Sequence, residues 1–175
     1  MALHTPAIGA RTRWELDPEN TTVGFSVKKF RFITVRGRFS RVKGSVDLRG
    51  TALTDAGVDV EIDAASIETG TEKRDAHLRT ADFLDVERYP TITFRSTRSE
   101  DLGQDRLRIH GYLTIRGLTR EVALDSRLVS RDGEHAEVVA TTTLDRRDFG
   151  LTWNFLGLMV GDDLKVGIKL RLHAM

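Results

Sequence analysis

The sequence predicts an all-β protein: an eight-stranded antiparallel barrel with one short helix between its third and fourth strands. Three observations carry that expectation. Apolar and polar residues alternate with period two over most of the chain, which gives each strand one buried face and one wet face. Turn-forming stretches such as "EDLGQD" (100–105) and "SRDGEH" (130–135) separate the alternating runs. One segment alone breaks the rhythm, "EKRDAHLRTADFLDVERYP" (72–90). Long antiparallel strands can close into a barrel and leave no exposed edge. A two-sheet sandwich is the structural alternative.

The strands are expected near 20–29, 36–48, 56–64, 91–98, 106–116, 120–129, 135–146 and 163–173. The first puts Val23, Phe25 and Val27 on one face, and the second does so with Val46 and Leu48. Val58, Val60 and Ile62 share a face opposite Asp59, Glu61 and Asp63. Ile92 and Phe94 lead the fourth run. Leu107, Ile109, Leu113 and Ile115 mark the fifth, and Val122, Leu124 and Leu128 the sixth. The seventh, with Val138 beside Val139, leaves its inner face open. The last carries Leu164, Val166, Ile168, Leu170 and Leu172. A single-residue bulge would reverse the inward set of any of these strands.

The 72–90 segment reads as a helix of about 10 residues and its exit loop. Thr69-x-x-Glu72 has the form of a capping box. Asp75 and Arg79 stand at i,i+4 and are expected to pair. Pro90 restores extended chain by disfavouring helix at Tyr89. Such a helix would lie across one barrel end, with Leu78, Phe83 and Leu84 inward and most charges in water.

At 175 residues the chain is long enough for one domain with a proper core. The reading is a flexible leader over 1–13 and one domain over 14–175. There is no cysteine, which excludes disulfides and thiol chemistry. "MALHTPAIGARTRW" has neither a long apolar core nor a clear cleavage signal, so a cytoplasmic address is expected. No apolar run approaches the ~20 residues of a membrane-spanning helix; "WNFLGLMVG" (153–161) is too short.

The net charge of +1 argues against bulk nucleic-acid binding. Its distribution is uneven, however. Residues 1–50 hold ten Lys/Arg against four Asp/Glu, and the remainder seventeen against twenty-two. Seven basic residues and no acid fall within 21–46. This is either a solvated hairpin face or a landing site for an anionic group.

Enzyme signatures are missing. The five histidines, at 4, 77, 110, 135 and 173, are scattered, and no metal-binding spacing, nucleophile elbow or phosphate loop occurs. Asp75, His77 and Arg79 are the one candidate constellation, but residues two apart on a helix point roughly 200° apart. "DRRDFG" (145–150) reads as a strand end. The expectation is a non-enzyme with no cofactor and no metal. The aromatics, including Phe25, Phe39, Phe83, Phe94 and Trp153, either fill a core or line a cavity. A small closed barrel can be packed with side chains or hold one ligand.

"EKRDAHLRTADFLDVERYPTITFRST" closely resembles the signature of the YceI-like family. The opening "WELDP…VGFSVKKF…VRGRFSRVKGSV", the stretch "GYLTIRGLTREVAL" and the late "RRDFGL" resemble it too, in the family's order from Trp14 to about Leu172. The resemblance implies a lipocalin-like barrel that binds a long apolar molecule, a polyisoprenoid or fatty-acid derivative. Family members are often periplasmic. Two departures stand out. Asn20-Thr21 and Lys28-Lys29 occupy positions where many members carry histidine, so Lys29 would offer a permanent charge to a ligand headgroup.

On this reading the tunnel lining comprises Phe25, Val27, Phe39, Ile62, Leu78, Phe83, Phe94 and Trp153. Lys29, Arg38, His77 and Arg79 are the headgroup candidates. The partner is a long-chain isoprenoid or similar lipid, with no nucleic acid and no membrane span, and a homodimer is left open. Two rivals remain: an enzyme acting on bound lipid through Asp75 or His77, and a stress-related interaction protein with a filled barrel.

Overall fold

The computed structural model describes residues 11–50, 52–152 and 160–175. Among the described residues, eleven strands form one antiparallel sheet: β1 (Arg11–Leu16), β2 (Thr22–Lys29), β3 (Ile33–Phe39), β4 (Val42–Arg49), β5 (Ala56–Asp63), β6 (Ile67–Glu68), β7 (Thr91–Gly103), β8 (Arg106–Ile115), β9 (Leu118–Arg131), β10 (His135–Asp145) and β11 (Asp163–Ala174). The order is β1-β4-β5-β7-β8-β9-β10-β11-β2-β3-β6, and β1 also pairs with β11. That last pairing closes an eight-stranded barrel. Strands β2, β3 and β6 leave it as a flap.

The expected strand count is right for the barrel, but the strands are divided differently. The first described strand of the barrel, β1, already includes Arg11–Arg13, inside the stretch read as leader; residues 1–10 lie outside the described residues. Strand β11 explains the division. Its C-terminal half pairs with β1 (Leu172 with Leu16), and its N-terminal half with β2 (Lys165 with Ser26). Between them the chain turns at Asp17, whose carboxylate accepts from Asn20 Nδ2 (2.6 Å) and the Glu19 amide (3.1 Å). The expected strand 36–48 is likewise two strands, parted at Ser40 and Arg41, because β3 belongs to the flap and β4 to the barrel.

Helix α1 spans Glu72–Leu78, shorter than expected, and the capping box does not form. Thr71 precedes its first turn with no side-chain cap. Thr69 instead donates its hydroxyl and its amide to the buried carboxylate of Asp75. Arg74 clamps Thr69 in turn, from Nε to Oγ1 and from a terminal nitrogen to the carbonyl (2.7 Å each). Asp75 is thereby occupied, and the expected pair with Arg79 is not made. Arg79 donates to the carbonyls of Ala65 (2.7 Å) and Ile67 (2.9 Å), tying the helix to the strand before it. Leu84 is buried in the core, and Leu78, Phe83 and Val86 pack against it. The segment is a barrel-end plug held by backbone carbonyls.

Candidate functional site

The barrel interior is not uniformly packed. At one end Ile115, Leu144 and Leu84 are buried, and Phe149 and Leu151 fully so. Arg116 seals this end by donating to the carbonyls of Phe83 (3.0 Å), Ala81 (2.9 Å) and Gly150 (3.4 Å). Buried Arg146 donates to Leu151 and Gly161 carbonyls and meets Asp162 at 3.3 Å. The "DRRDFG" stretch thus forms a short 3-10 turn after β10, closed by left-handed Gly150. Midway along the barrel, inward aliphatics including Val60, Ile109, Leu124 and Val138 are only half-buried. They surround a cavity of about 180 Å³ whose wall is almost wholly apolar. An inward side chain stays half-exposed in a closed barrel only where its neighbours across the axis do not reach it.

Glycine helps set the cavity's shape. Gly111 faces inward opposite Ser96, and a Cβ there would stand 2.6 Å from the Phe94 ring and 2.4 Å from the Arg95 carbonyl oxygen. The missing side chain lets Phe94 lie against the sheet instead of across the cavity.

The other end carries the polar groups. A bulge in β9 shifts the register between Leu128 and Ser130 and leaves Val129 exposed. Even-numbered residues face inward before it, and Arg131, opposite inward Ala136, does so after it. The Arg131 guanidinium lies over the Trp14 ring at 5.4 Å, and both residues, with Asp105, belong to the cavity wall. Farther in, Ser126 donates to the Leu107 carbonyl (3.0 Å) and Thr142 to that of Ala123 (2.9 Å), so both hydroxyl donors are engaged.

Of the residues named from sequence, Ile62 and Phe94 are on this wall. The Phe25 and Phe39 rings meet at a tilt on the flap, 5.7 Å between centroids, and Val27 sits on the strand of Phe25. Phe25 also borders a separate concavity of about 630 Å³, with a mixed polar and apolar lining, shared with Arg36, Asp125 and Lys165. Leu78 and Phe83 pack against the closed end. Trp153 lies outside the described residues. None of the four headgroup candidates is on the wall. Lys29 lies near the Phe30 ring at the flap tip, Arg38 pairs with Glu68 (3.0 Å), His77 with Asp82 (3.0 Å), and Arg79 holds carbonyls. Sequence reasoning missed Trp14, Asp105 and Arg131. Trp14 falls before the first expected strand, and Arg131 turns inward only through the bulge.

Among the described residues no group of three His, Asp or Glu side chains is placed to hold a metal ion. No helix among the described residues is long and apolar enough to cross a membrane.

Comparison with known proteins agrees with this architecture. Residues 14–172 match the YceI-like domain. A UPF0312 protein of Shewanella baltica is 31% identical over 157 residues, covering 86% of this chain and 82% of that one. A UPF0312 protein of Vibrio cholerae is 29% identical over 137 residues, 75% of this chain and 72% of its own length. Among solved structures, Burkholderia cenocepacia BcnA superposes with a TM-score of 0.81 at 19% identity, covering 89% of this chain and 98% of its own. A polyisoprenoid binding domain from Saccharophagus degradans, implicated in plant cell wall breakdown, gives 0.76 at 16% identity, covering 93% and 98%. At these identities the structural likeness speaks for the fold, and the sequence match across nearly the whole described barrel identifies the chain as a member of the YceI-like family.

Proposed function

We propose that this protein binds an elongated apolar molecule inside the barrel, a polyisoprenoid or fatty-acid derivative, and does not transform it. One observation carries the reading: a closed barrel whose central wall is aliphatic and only half-buried. The polyisoprenoid-binding description of the Saccharophagus degradans neighbour supports the ligand class. Burial is the mechanism. Each methylene withdrawn from water contributes about 0.8 kcal/mol, set against the cost of association. Arg131, braced on Trp14, sits where a polar head would lie, and its planar guanidinium suits a carboxylate or phosphate. Asp75 and His77, the residues an enzyme would have to use, are engaged with Thr69 and Asp82 away from the cavity wall.

The test is mass spectrometry of an organic extract from natively purified protein. A stoichiometric long-chain lipid is expected. Turnover of a bound lipid that Asp75→Asn abolishes in a folded protein would overturn the non-catalytic reading.

A further inference from the structure

The flap ends in a hairpin tip that the barrel does not use. There Phe32 is 88% exposed, Ile33 53% and Phe30 44%. Contiguous apolar side chains on a projecting turn are costly in water and usually mark an interaction surface. The backbone adds to the cost. Phe30 (φ 52°) and Arg31 (φ 64°) both hold left-handed conformations, where a turn selected for stability alone would carry Asn or Gly. A strained turn built from an aromatic and an arginine points to a role for those side chains.

Charge identifies the partner. Cross-strand ion pairs lace the outer face of the sheet elsewhere, as in Arg38 with Glu68, Arg41 with Asp63, Lys43 with Glu61 and Arg108 with Asp125. By contrast, Lys28, Lys29, Arg31 and Arg36 meet no carboxylate among the described residues, and no acid occurs between Glu19 and Asp47. Lys28 donates to Thr34 Oγ1 (2.6 Å) across the hairpin, and Lys29 lies 5.6 Å from the Phe30 ring, so these cations are gathered about the aromatic tip. A bilayer interface takes up projecting aromatic side chains, and its anionic headgroups attract nearby lysine and arginine without shape matching.

We propose that the Phe30–Ile33 tip docks the protein on an anionic membrane surface, with Phe32 inserted at headgroup depth and Lys28, Lys29 and Arg31 on lipid phosphates. The strand registers fix the orientation. β1 leads from the Arg131 end toward the plugged end, and β2 continues past it alongside the start of β11. Docking therefore leaves the Arg131 end of the cavity facing away from the surface. The proposal does not depend on what the cavity holds.

The experiment is cosedimentation of the full chain with vesicles of phosphatidylcholine, with and without about one-third phosphatidylglycerol. The wild type is compared with the triple variant Phe30→Asn, Arg31→Gly, Phe32→Ser. The wild type should partition onto the anionic vesicles and release as salt rises to about 0.5 M. The variant should lose at least about tenfold in partition, since one basic residue near such a surface is worth about fivefold and two aromatics go with it. Its melting temperature should hold or rise, because Asn and Gly suit the left-handed turn. Its binding of cis-parinaric acid, an apolar fluorescent probe, should be unchanged, which separates this proposal from the one for the cavity. Equal partition of variant and wild type, or a wild type that ignores anionic vesicles, overturns it. A protein partner or self-association lost in the variant, without vesicle binding, also overturns it and assigns the tip to that contact.

Discussion

Val138→Phe tests whether the barrel is hollow. Val138 faces inward from β10, in register with Leu128 on one side and Leu170 on the other, and is half-buried. It lies two residues along the strand from Ala136, which pairs with Arg131 at the polar end. A phenylalanine ring there projects into the cavity of about 180 Å³. It should displace about three methylenes of a threaded chain, roughly 2–3 kcal/mol, which lowers affinity about 30- to 150-fold. Because the ring enters free space, the overpacking penalty of about 1–3 kcal/mol should not arise, and the melting temperature should stay within a few degrees. The assays are cis-parinaric acid titration by fluorescence and thermal melting by circular dichroism. Unchanged affinity in the folded variant would place the ligand outside the barrel. A fall in melting temperature of more than about 5 °C would show that the site was already filled, and the hollow-barrel reasoning would fail.

Arg131→Gln should weaken binding of a long-chain carboxylate about threefold to fivefold while leaving the matching alcohol unaffected, because an exposed cation contributes modestly. Paired titrations of the two probes check this. Gly111→Ala should destabilise the barrel by about 1–3 kcal/mol, measured by urea unfolding, since the new Cβ meets a backbone oxygen at 2.4 Å as well as the Phe94 ring. The Arg147 side chain and amide on Asp145 hold that carboxyl down at about 2, below its ordinary value. The folded chain therefore binds fewer protons than the unfolded one between about pH 4 and pH 2. The stabilisation is complete above that window and is lost as pH falls through it. Asp145→Asn should flatten that part of the profile of melting temperature against pH.

The alternation that exposed the barrel is a local property. Val58, Val60 and Ile62 share a face because a strand has period two, whatever it pairs with. The seventh expected strand shows the limit. Val138 and Val139 are adjacent valines, and only the register with β11, which puts Val138 beside Leu170 and Val139 beside Lys169, decides that Val138 faces inward. The aromatics Phe25 and Phe39 likewise alternate correctly. They sit on the flap because β2 pairs with the half of β11 that has already left β1.

The helix illustrates the same division. Its position and its apolar plug residues follow from local pattern. The partners of its charges do not, since Asp75 could satisfy Arg79 or Thr69 equally well in the sequence. The fold brings the carbonyls of Ala65 and Ile67 within reach of Arg79 and leaves Asp75 to Thr69.

By itself, then, the sequence determined the all-β class, the family, the position of the plug and the apolar character of the inward faces. All of these rest on side-chain periods and motifs that span neighbouring residues. Tertiary structure alone decided which strands close the barrel, that the bulge at Val129 turns Arg131 over Trp14, and that the middle of the barrel is left unfilled. Those outcomes depend on register between strands far apart in the chain and on whether side chains meet across the axis, and no run of neighbouring residues encodes either.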